Sequence, residues 1–409
     1  MLSRIWLGFF IASALAACYQ WWGAGDVLVF QRMVTALFDM AQLAVELALG
    51  LIGLMAFWLG IMALGQASGL IDVLAKALSP LFARLMPEVP RGDPAVGSVT
   101  MNLAANVLGL DNASTPLGIK AMGDLQRLNP TPETATNAQI LFLVLNTSSV
   151  TLFPVTVLLY RAQLGSEDPA AVFVPILLAT FCSTLAGLLV TAKVQRLPMS
   201  DSAVLAYFGA AGALVLALLG WAATLSAQAL QQQSSLLGNL LIFSLILLFL
   251  VAAWWREVDV YATFVDGAKQ GFETAVMIIP YLLAMLVAIG VFRASGALDA
   301  LLDGARFVVM TLGLDVRWVD GLPTALMKPL SGSGARAMMV ETINQYGVDS
   351  FAGRLAAVLQ GSTETTFYVL AVYFGAAGIR YTRHAIPCAL AADIAGITAA
   401  ILVSYWYFG

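Results

Sequence analysis

Nine apolar stretches, each close to the length of a bilayer span, constrain the fold of this chain more than any other feature. A helix needs about 20 mostly apolar residues to cross the hydrocarbon core of a bilayer. The chain of 409 residues is 60% hydrophobic and 11% charged, whereas soluble domains carry about 25% charged residues. The sequence therefore predicts an all-α polytopic membrane protein with about nine transmembrane helices. The stretches lie at residues 5–22, 42–65, 138–160, 172–192, 203–225, 236–255, 271–292, 352–374 and 385–407.

Two further segments, residues 97–128 and 322–346, are apolar in pieces but interrupted by Gly, Pro, Asn, Ser and charged residues. Each segment is too interrupted for a span and too apolar for a loop. A re-entrant helical hairpin resolves this conflict, because irregular backbone is tolerated at membrane depth where it is buried in protein or faces a water-filled cavity. We therefore expect two re-entrant hairpins in addition to the spans.

The two halves of the chain resemble each other, which predicts an internal repeat. Four pairs of segments occur in the same order in both halves, and four pairs in register rarely arise by chance. The pairs are "QASGLIDVLAKAL" (66–78) with "RASGALDALLDGA" (293–305), "STPLGIKAM" (114–122) with "LSGSGARAM" (330–338), "LNTSSVTLFPV" (145–155) with "LQGSTETTFYV" (359–369), and "PILLATFCSTLAGLLV" (175–190) with "PCALAADIAGITAAILV" (387–403).

The two repeats are predicted to have opposite orientations in the membrane. Each contributes an odd number of crossings, and the linker between them contributes two. Basic residues concentrate in the segments that this topology places on the cytoplasmic side together with the N-terminus. Inverted repeats with hairpins entering from opposite faces are a transporter design. The predicted domains are an N-terminal transmembrane helix (1–34), repeat 1 (35–195), a two-helix linker (196–259) and repeat 2 (260–409).

The N-terminal segment "MLSRIWLGFFIASALAACYQ" has two interpretations. A basic start, an apolar run and the sequence before Cys18 are compatible with a secretory signal that is cleaved at a lipid-modified cysteine. A polytopic chain gains little from a lipid anchor, and we expect an uncleaved first helix. The three cysteines are far apart in apolar segments and are interpreted as packing residues.

The sequence lacks the usual signatures of enzymes and of metal or nucleotide sites. It contains no GxxxxGK[ST] phosphate loop, no GxSxG elbow and no metal-ligand spacing of the HExxH or paired-cysteine type. The one histidine, His384, lies at a predicted cytoplasmic edge without an acid partner. A formal net charge of −4, spread along the chain, gives no nucleic-acid footprint. We expect no enzyme activity, no catalytic residue, no metal, no cofactor and no nucleic-acid partner.

Polar residues at the hairpin tips and inside two spans are the candidate solute-binding groups. A half-helix N-terminus carries partial positive charge, and Lys120 and Arg336 are predicted to lie at matching places one turn beyond the tips. The runs "NTSS" and "QGSTET" predict breaks that face these tips. The alternative is that small residues serve helix packing and that Arg336 pairs with Glu341. The candidates are Asn112, Ser114, Thr115, Lys120, Asn146, Thr147, Ser148, Ser331, Ser333, Arg336, Gln360, Ser362 and Thr363.

Two acids in predicted spans, Glu364 and Asp393, are candidate ion-coupling residues. A carboxylate at membrane depth costs a few kcal/mol unless it is paired, protonated or solvated. Glu364 could carry a coupling proton, bind a cation, or balance Arg336 or Lys328. A structural ion pair is the alternative for both acids.

These motifs resemble a known family. The first half, especially "MNLAANVLGLDNASTPLGIKAM" (101–122) with "LNTSSVTLFPV", is similar to spore maturation protein A. The second half, especially "KPLSGSGARAMM" (328–339) with "QGSTETTFYVLAVYFG" (360–375), is similar to spore maturation protein B. The resemblance covers residues 35–195 and 260–409. Both relatives belong to the nucleoside recognition, or gate, domains, which implies a carrier fold with inverted repeats and hairpins in a bacterial inner membrane.

We accordingly expect a secondary carrier for a small polar or anionic solute, with nucleoside-like compounds among the candidates and H+ or Na+ as the coupling ion. Its site is expected at mid-membrane depth between the two hairpins. The alternative is a non-transporting membrane scaffold or partner-binding protein of the spore maturation type. The expected partners are the lipid bilayer and the solute, and a homo-oligomer is compatible with the sequence.

Overall fold

The computed structural model describes residues 2–90, 92–108, 111–148 and 150–409, without the side chains at 2, 3, 111–113 and 227. These residues form seventeen α-helices and two short 3-10 helices. The one β-type contact among them is an isolated bridge between Thr134 and Tyr381. The predicted all-α fold class is confirmed.

Seven of the described helices are long and apolar enough to cross a bilayer, as expected of a polytopic membrane protein. Their bounds correspond to seven of the nine predicted spans, although α2 and α11 extend well beyond the spans predicted for them. They are α1 (Leu2–Gly23), α2 (Val29–Ala67), α8 (Phe173–Gln195), α9 (Ser202–Ala223), α10 (Ala227–Trp255), α11 (Val260–Ala294) and α17 (Ala385–Phe408).

The other two predicted spans are each broken into two short helices. The first consists of α6 (Asn137–Thr147) and α7 (Val155–Gln163). The second consists of α15 (Phe351–Gly361) and α16 (Thr366–Ala376). We call these pairs the first and the second broken span. Each break coincides with a polar run of the sequence, so the nine predicted spans correspond to seven continuous helices and two broken ones.

Each predicted hairpin segment contains two helices that follow one another closely in the sequence. Hairpin 1 contains α4 (Pro94–Val107) and α5 (Asp111–Arg127). Hairpin 2 contains α13 (Leu322–Met327), which follows a 3-10 turn, and α14 (Gly332–Tyr346). In α4 and α14, the side chain before the first helical residue accepts a hydrogen bond from a backbone amide of the first turn. Asp93 accepts a hydrogen bond from the Ala95 amide before Pro94.

Two amphipathic helices, α3 (Leu70–Leu85) and α12 (Ala297–Thr311), were not expected as separate elements. Their segments were recognised only as repeated motifs. Each begins after a glycine with a φ of 74°, where the chain turns away from the preceding long helix. At 16 and 15 residues they are too short to span a bilayer. They bury one face and expose the other.

The order of elements occurs twice in the chain. A long helix, an amphipathic helix, a hairpin, a broken span and a continuous span run from α2 to α8, and the same series runs from α11 to α17. Helices α9 and α10 lie between the two series, and α1 precedes them. The repeated order agrees with the predicted internal repeat. The domain limits assigned from the sequence stay predictions.

The chain forms two compact units, each built from both halves of the sequence. The first unit comprises residues 1–60, 156–169 and 266–360, and the second comprises 61–155, 170–265 and 361–409. The first unit contains hairpin 2 and a core cluster of Phe292, Leu298, Leu302, Val309 and Val319. The second unit contains hairpin 1 and a larger core that includes α6 and parts of α3, α8, α16 and α17.

In the second unit, the loop before the first broken span pairs with the loop that follows the second. The Ala135 amide donates to the Tyr381 carbonyl oxygen at 3.0 Å, and Arg383 donates to the Ala135 carbonyl oxygen at 2.9 Å. The amides of Arg380 and Tyr381 donate to the Glu133 carbonyl oxygen, each at 2.9 Å. These contacts fix the two loops to each other.

In the first unit, the repeat-equivalent loops are also paired. Residues 347–350 precede the second broken span, and residues 164–169 follow the first. Asp349 accepts hydrogen bonds from Arg161 at 2.6 Å, from the Ser166 hydroxyl at 2.8 Å and from the Glu167 amide at 3.0 Å. The same pairing of loops therefore occurs in each unit, as an internal repeat requires.

Candidate functional site

Helix α6, the first half of the first broken span, ends at Thr147 in a run of polar residues. Asn146 donates to the Phe142 carbonyl oxygen at 2.9 Å. Thr147 and Ser148 donate to the Val144 carbonyl oxygen at 3.0 and 2.7 Å. The Val144 carbonyl oxygen also accepts the Ser148 amide at 3.0 Å, so the two hydroxyls add to a backbone hydrogen bond in the last turn. The three side chains are almost fully buried, so the break lies inside the protein.

The second broken span is interrupted between Gly361, the last residue of α15, and Thr366, the first residue of α16. It meets the first broken span at this interruption. The Glu364 amide donates to the Thr147 carbonyl oxygen at 2.8 Å, which joins the two breaks through their backbones. A Cβ at Gly361 would lie 2.8 Å from Ile176 of α8, so only glycine allows this close approach. Two interrupted helices, one from each half of the sequence, thus meet in the second unit.

Asn146 of the first broken span connects hairpin 1 to the second broken span. The Oδ1 atom of Asn146 accepts a hydrogen bond from Asn106 of α4 at 2.8 Å and one from the Tyr373 hydroxyl of α16 at 3.3 Å. The Tyr373 ring stacks on Phe142, with ring centroids 5.7 Å apart. At Gly118 of α5 a Cβ would lie 2.1 Å from the Tyr373 hydroxyl oxygen. We call the set of Asn106, Asn146, Thr147, Glu364 and Tyr373 the polar junction.

Asn106 and Tyr373 were missed by the sequence analysis. Asn106 is four residues after Asn102, so the two amides share one face of α4. Asn102 donates to the Ser114 carbonyl oxygen at 2.7 Å and ties the two helices of hairpin 1 together. This i, i+4 pair in an apolar half-helix was a readable signal. Nothing in the sequence distinguishes Tyr373 from the neighbouring aromatic residues.

The crossing of α8 and α17 places further polar groups beside the second break. The Thr366 hydroxyl donates to Asp393 at 2.7 Å, and Ser183 donates to the Ala392 carbonyl oxygen at 2.9 Å. Asp393 is buried. A Cβ at Gly396 would lie 2.7 Å from Thr363 and 2.9 Å from Ser183. Small residues therefore allow the two spans to approach closely around the break.

Glu364 is half-buried, and its carboxylate has no cationic partner among the residues that the structure describes in the second unit. Thr363 is buried, and its hydroxyl has no hydrogen-bond partner within the described residues. Burying a polar group without a partner costs free energy. The break thus holds hydrogen-bonding and acidic groups that packing alone does not require.

The hairpin 1 candidates do not all lie at the predicted places. Helix α5 begins at Asp111, so Ser114 and Thr115 lie in its first turns, and Lys120 lies two to three turns from its start rather than one. Lys120 is exposed and forms no ion pair within the described part of the chain. The side chain of Asn112 lies outside the described residues. The second unit brings together Asn146, Thr147 and the second break, with Ser362 and Thr363 buried there.

In the first unit, hairpin 2 carries its own candidates. Ser331 starts α14, since its hydroxyl accepts a hydrogen bond from the Gly334 amide at 3.1 Å and contacts the Ser333 hydroxyl at 3.2 Å. Arg336 is half-buried and lies one turn into α14, as predicted. Gln360 is buried in the last turn of α15, and its Oε1 has no partner among the described residues.

The pairing of Arg336 with Glu341, which was the alternative interpretation, does not occur among the described ion pairs. Glu341 instead pairs with Arg293 of α11, with Nε and Oε1 2.6 Å apart, and both side chains are largely buried. Asp299 of α12 lies 3.8 Å from the same guanidinium. Arg293 and Glu341 therefore tie hairpin 2 to α11 and leave Arg336 out of the pair.

Fold and junction together define a multi-pass membrane protein with a transporter-like architecture. The model of the Gate family, described as nucleoside recognition, matches residues 48–166 and 275–380. These matched residues make up more than half of the chain, so the chain belongs to the Gate family of nucleoside recognition domains. The two matches cover equivalent elements, from within α2 to α7 and from within α11 to α16.

Two relatives from Bacillus subtilis (strain 168) match this chain. Spore maturation protein B is 48% identical over 154 residues, which are 38% of this chain and 85% of that protein. Spore maturation protein A is 39% identical over 160 residues, which are 39% of this chain and 82% of that protein. The predicted resemblance is confirmed, and the findings fit a chain that joins homologues of both proteins.

Proposed function

We propose that this protein is a secondary carrier that binds and translocates a small polar or anionic solute at the polar junction. Nucleoside-like compounds are among the candidate solutes, in keeping with the description of the family. Carriers with hairpins and broken helices bind their solutes where unwound backbone lines a cavity at membrane depth. We further propose that the protein has no enzyme activity and lies in a bacterial inner membrane with its N-terminus on the cytoplasmic side.

The observation that carries this proposal is the hydrogen bond between the two breaks, from the Glu364 amide to the Thr147 carbonyl oxygen at 2.8 Å. Two unwound segments in one place free backbone groups from helical hydrogen bonds. Such a meeting is costly at membrane depth unless the freed groups serve a ligand or line water. The adjoining Asn146, Asn106 and Tyr373 supply amide and hydroxyl groups suited to a polar solute.

The coupling ion is proposed to act at Glu364 and Asp393. Glu364 has no cationic partner within the described residues of its unit, so it is suited to exchange a proton or to attract Na+. Asp393 accepts a hydrogen bond from the Thr366 hydroxyl at the start of α16, so it lies directly beside the second break. The guanidinium of Arg336 is a candidate anion contact in the first unit.

A thermal-shift screen in detergent tests binding directly. Nucleosides, nucleobases, dicarboxylates and amino acids are added singly, because a ligand that binds only the folded protein raises its melting temperature. We expect at least one class to stabilise the wild type and not Asn106→Leu, which keeps the approximate volume and removes the amide. The matched control is Asn239→Leu, because Asn239 is exposed on α10 and its amide donates to Ser235 of the same helix. Equal stabilisation of all three chains would place the solute elsewhere.

The alternative is a non-transporting membrane scaffold or partner-binding protein. The names of the two relatives refer to spore maturation and to no solute. If no solute stabilises the protein or enters proteoliposomes that contain it, the scaffold becomes the better account. Sedimentation in detergent then tests for a homo-oligomer.

A further inference from the structure

The second unit contains an apolar cavity of about 250 Å³ that the proposed solute site does not use. Its walls come from α3, α4, α6, α8 and α9, with Leu81, Leu103, Phe181 and Phe208 among them. Phe181 and Phe208 remain partly exposed, so the cavity reaches the surface of the molecule. Two of the helices around its opening, α8 and α9, are long and apolar enough to cross a bilayer.

The cavity offers a ligand no hydrogen bond from a side chain. Two of its lining residues, Thr184 and Tyr207, carry hydroxyl groups. The Thr184 hydroxyl donates to the Ser148 carbonyl oxygen, and the Tyr207 hydroxyl donates to the Ala77 carbonyl oxygen. Both donors are thus engaged within the protein. A ligand segment that fits this cavity must be apolar, because a polar group inside it would lose its hydrogen bonds to water.

The end of the unit beside this cavity carries an excess of positive charge. Arg84, at the end of α3, pairs with Asp201 before α9 at 3.1 Å. Lys193 and Arg196 lie at the end of α8, and neither forms an ion pair within the described part of the chain. Lys193 is five residues beyond the lining residue Leu188, about 7.5 Å along the helix axis. Two acids lie at the same end, Asp201 and Glu88, which accepts a hydrogen bond from the Ala138 amide at 3.4 Å, so Arg84, Lys193 and Arg196 exceed them by one charge.

We propose that this cavity binds one acyl chain of an anionic phospholipid, whose headgroup contacts the cationic end formed by Arg84, Lys193 and Arg196. At membrane depth, lipid tails are the apolar ligand present at high concentration. The charge complements an anionic headgroup, because basic residues near a membrane surface attract anionic lipid. This site is independent of the proposed carrier function.

The proposal is tested by filling the cavity. Ala211→Trp places an indole inside it, and Leu214→Trp on the same helix is the matched control, because Leu214 is 64% exposed. Each purified full-length chain is titrated with phosphatidylglycerol or phosphatidylethanolamine and examined by native mass spectrometry and thermal melting. We expect Ala211→Trp to bind phosphatidylglycerol roughly tenfold more weakly than the wild type, since overfilling excludes the chain. Leu214→Trp should bind like the wild type.

A double variant, Lys193→Gln with Arg196→Gln, tests whether the lipid headgroup contacts the cationic end. This double variant should lose the preference for phosphatidylglycerol over phosphatidylethanolamine. If Ala211→Trp does not fold, Ala211→Phe serves as the smaller filling variant. Lipid stabilisation of the filled variant equal to that of the wild type would overturn the proposal. Equal binding of both lipids by the wild type would overturn the anionic assignment.

Discussion

At the scale of single residues, Asn146 holds the polar junction together. One oxygen atom accepts hydrogen bonds from Asn106 of hairpin 1 and from Tyr373 of the second broken span. The sequence indicated Asn146 because it opens a polar run inside an apolar span. Its partners could not be assigned in the same way, because hydrogen bonds between distant segments depend on how the helices pack.

Asn146→Ala should destabilise the protein. The substitution removes the oxygen atom that accepts hydrogen bonds from Asn106 and Tyr373. Leaving such donors unpaired inside a protein costs about 1–3 kcal/mol. Thermal melting in detergent measures this loss. Asn239→Ala, at the exposed position on α10, should change the melting temperature little. Equal effects of the two substitutions would contradict the role assigned to Asn146.

His384 should make stability depend on pH. It lies just before α17, within 2.9 Å of Gln195, and burial together with the charge of Arg383 lowers its pKa below the usual 6.5. The unfolded chain therefore binds a proton more readily than the folded chain, so stability falls as the pH drops below about 6.5. His384→Gln should reduce the drop in melting temperature between about pH 7.5 and about pH 5.5, which bracket that value. An unchanged drop would show that His384 does not contribute.

At the scale of secondary-structure elements, the polar runs predicted where spans break, and the structure confirms both breaks. These breaks were readable because polar side chains and glycine interrupt otherwise apolar helices. The amphipathic helices α3 and α12 were not predicted, because at 16 and 15 residues they are shorter than a bilayer span. The start of α5 was also missed, since Lys120 was predicted one turn beyond the tip and α5 instead begins at Asp111.

Arg161 should be essential for the paired loops of the first unit. Its side chain is fully buried and donates to the carbonyl oxygens of Pro169, Asp168 and Val348 as well as to Asp349. Burial raises the pKa of Asp349, but the Glu167 amide, the Ser166 hydroxyl and the Arg161 charge outweigh this and lower it overall. Ion pairing at this position is thus favoured near neutral pH.

Arg161→Lys should lower stability by roughly 3 kcal/mol or more, because lysine cannot reproduce the planar set of five donors and leaves buried acceptors unpaired. Thermal melting and protease resistance of the loops measure the effect. Arg32→Lys is the control, since Arg32 pairs with Asp26 at the surface and such pairs contribute little. A melting temperature like that of the wild type for Arg161→Lys would refute this role.

At the scale of the whole molecule, the chain repeats one series of elements, and we propose that the two copies have opposite orientations in the membrane. The repeat was predictable because four motifs recur in order. The grouping of elements into two units was not, since each unit combines segments that are distant in sequence, such as α6 with α17. The solute is equally beyond prediction, because related folds bind different ligands.

The proposed topology places the loop before the first broken span on the cytoplasmic side of the membrane and the loop after it on the outer side. Glu133 and Glu167 are exposed on the loops before and after the first broken span. In a background with Cys18→Ser and Cys182→Ser, we expect Glu167→Cys to react with an impermeant maleimide on intact spheroplasts. Glu133→Cys should react only after permeabilisation. Reaction of both from outside would refute the proposed orientation.

The central claim, that the meeting of the two breaks forms the site of a coupled carrier, is tested most directly by proton-driven and Na+-driven uptake into proteoliposomes. The wild type, Glu364→Gln and the exposed control Glu133→Gln are compared with the solute found by thermal shift. If H+ is the coupling ion, Glu364→Gln abolishes the pH dependence of uptake; if Na+ is, it abolishes stimulation by the Na+ gradient. In both cases the melting temperature is largely unchanged and Glu133→Gln behaves like the wild type. Uptake by Glu364→Gln with unaltered ion dependence, or no uptake by the wild type, would contradict the account.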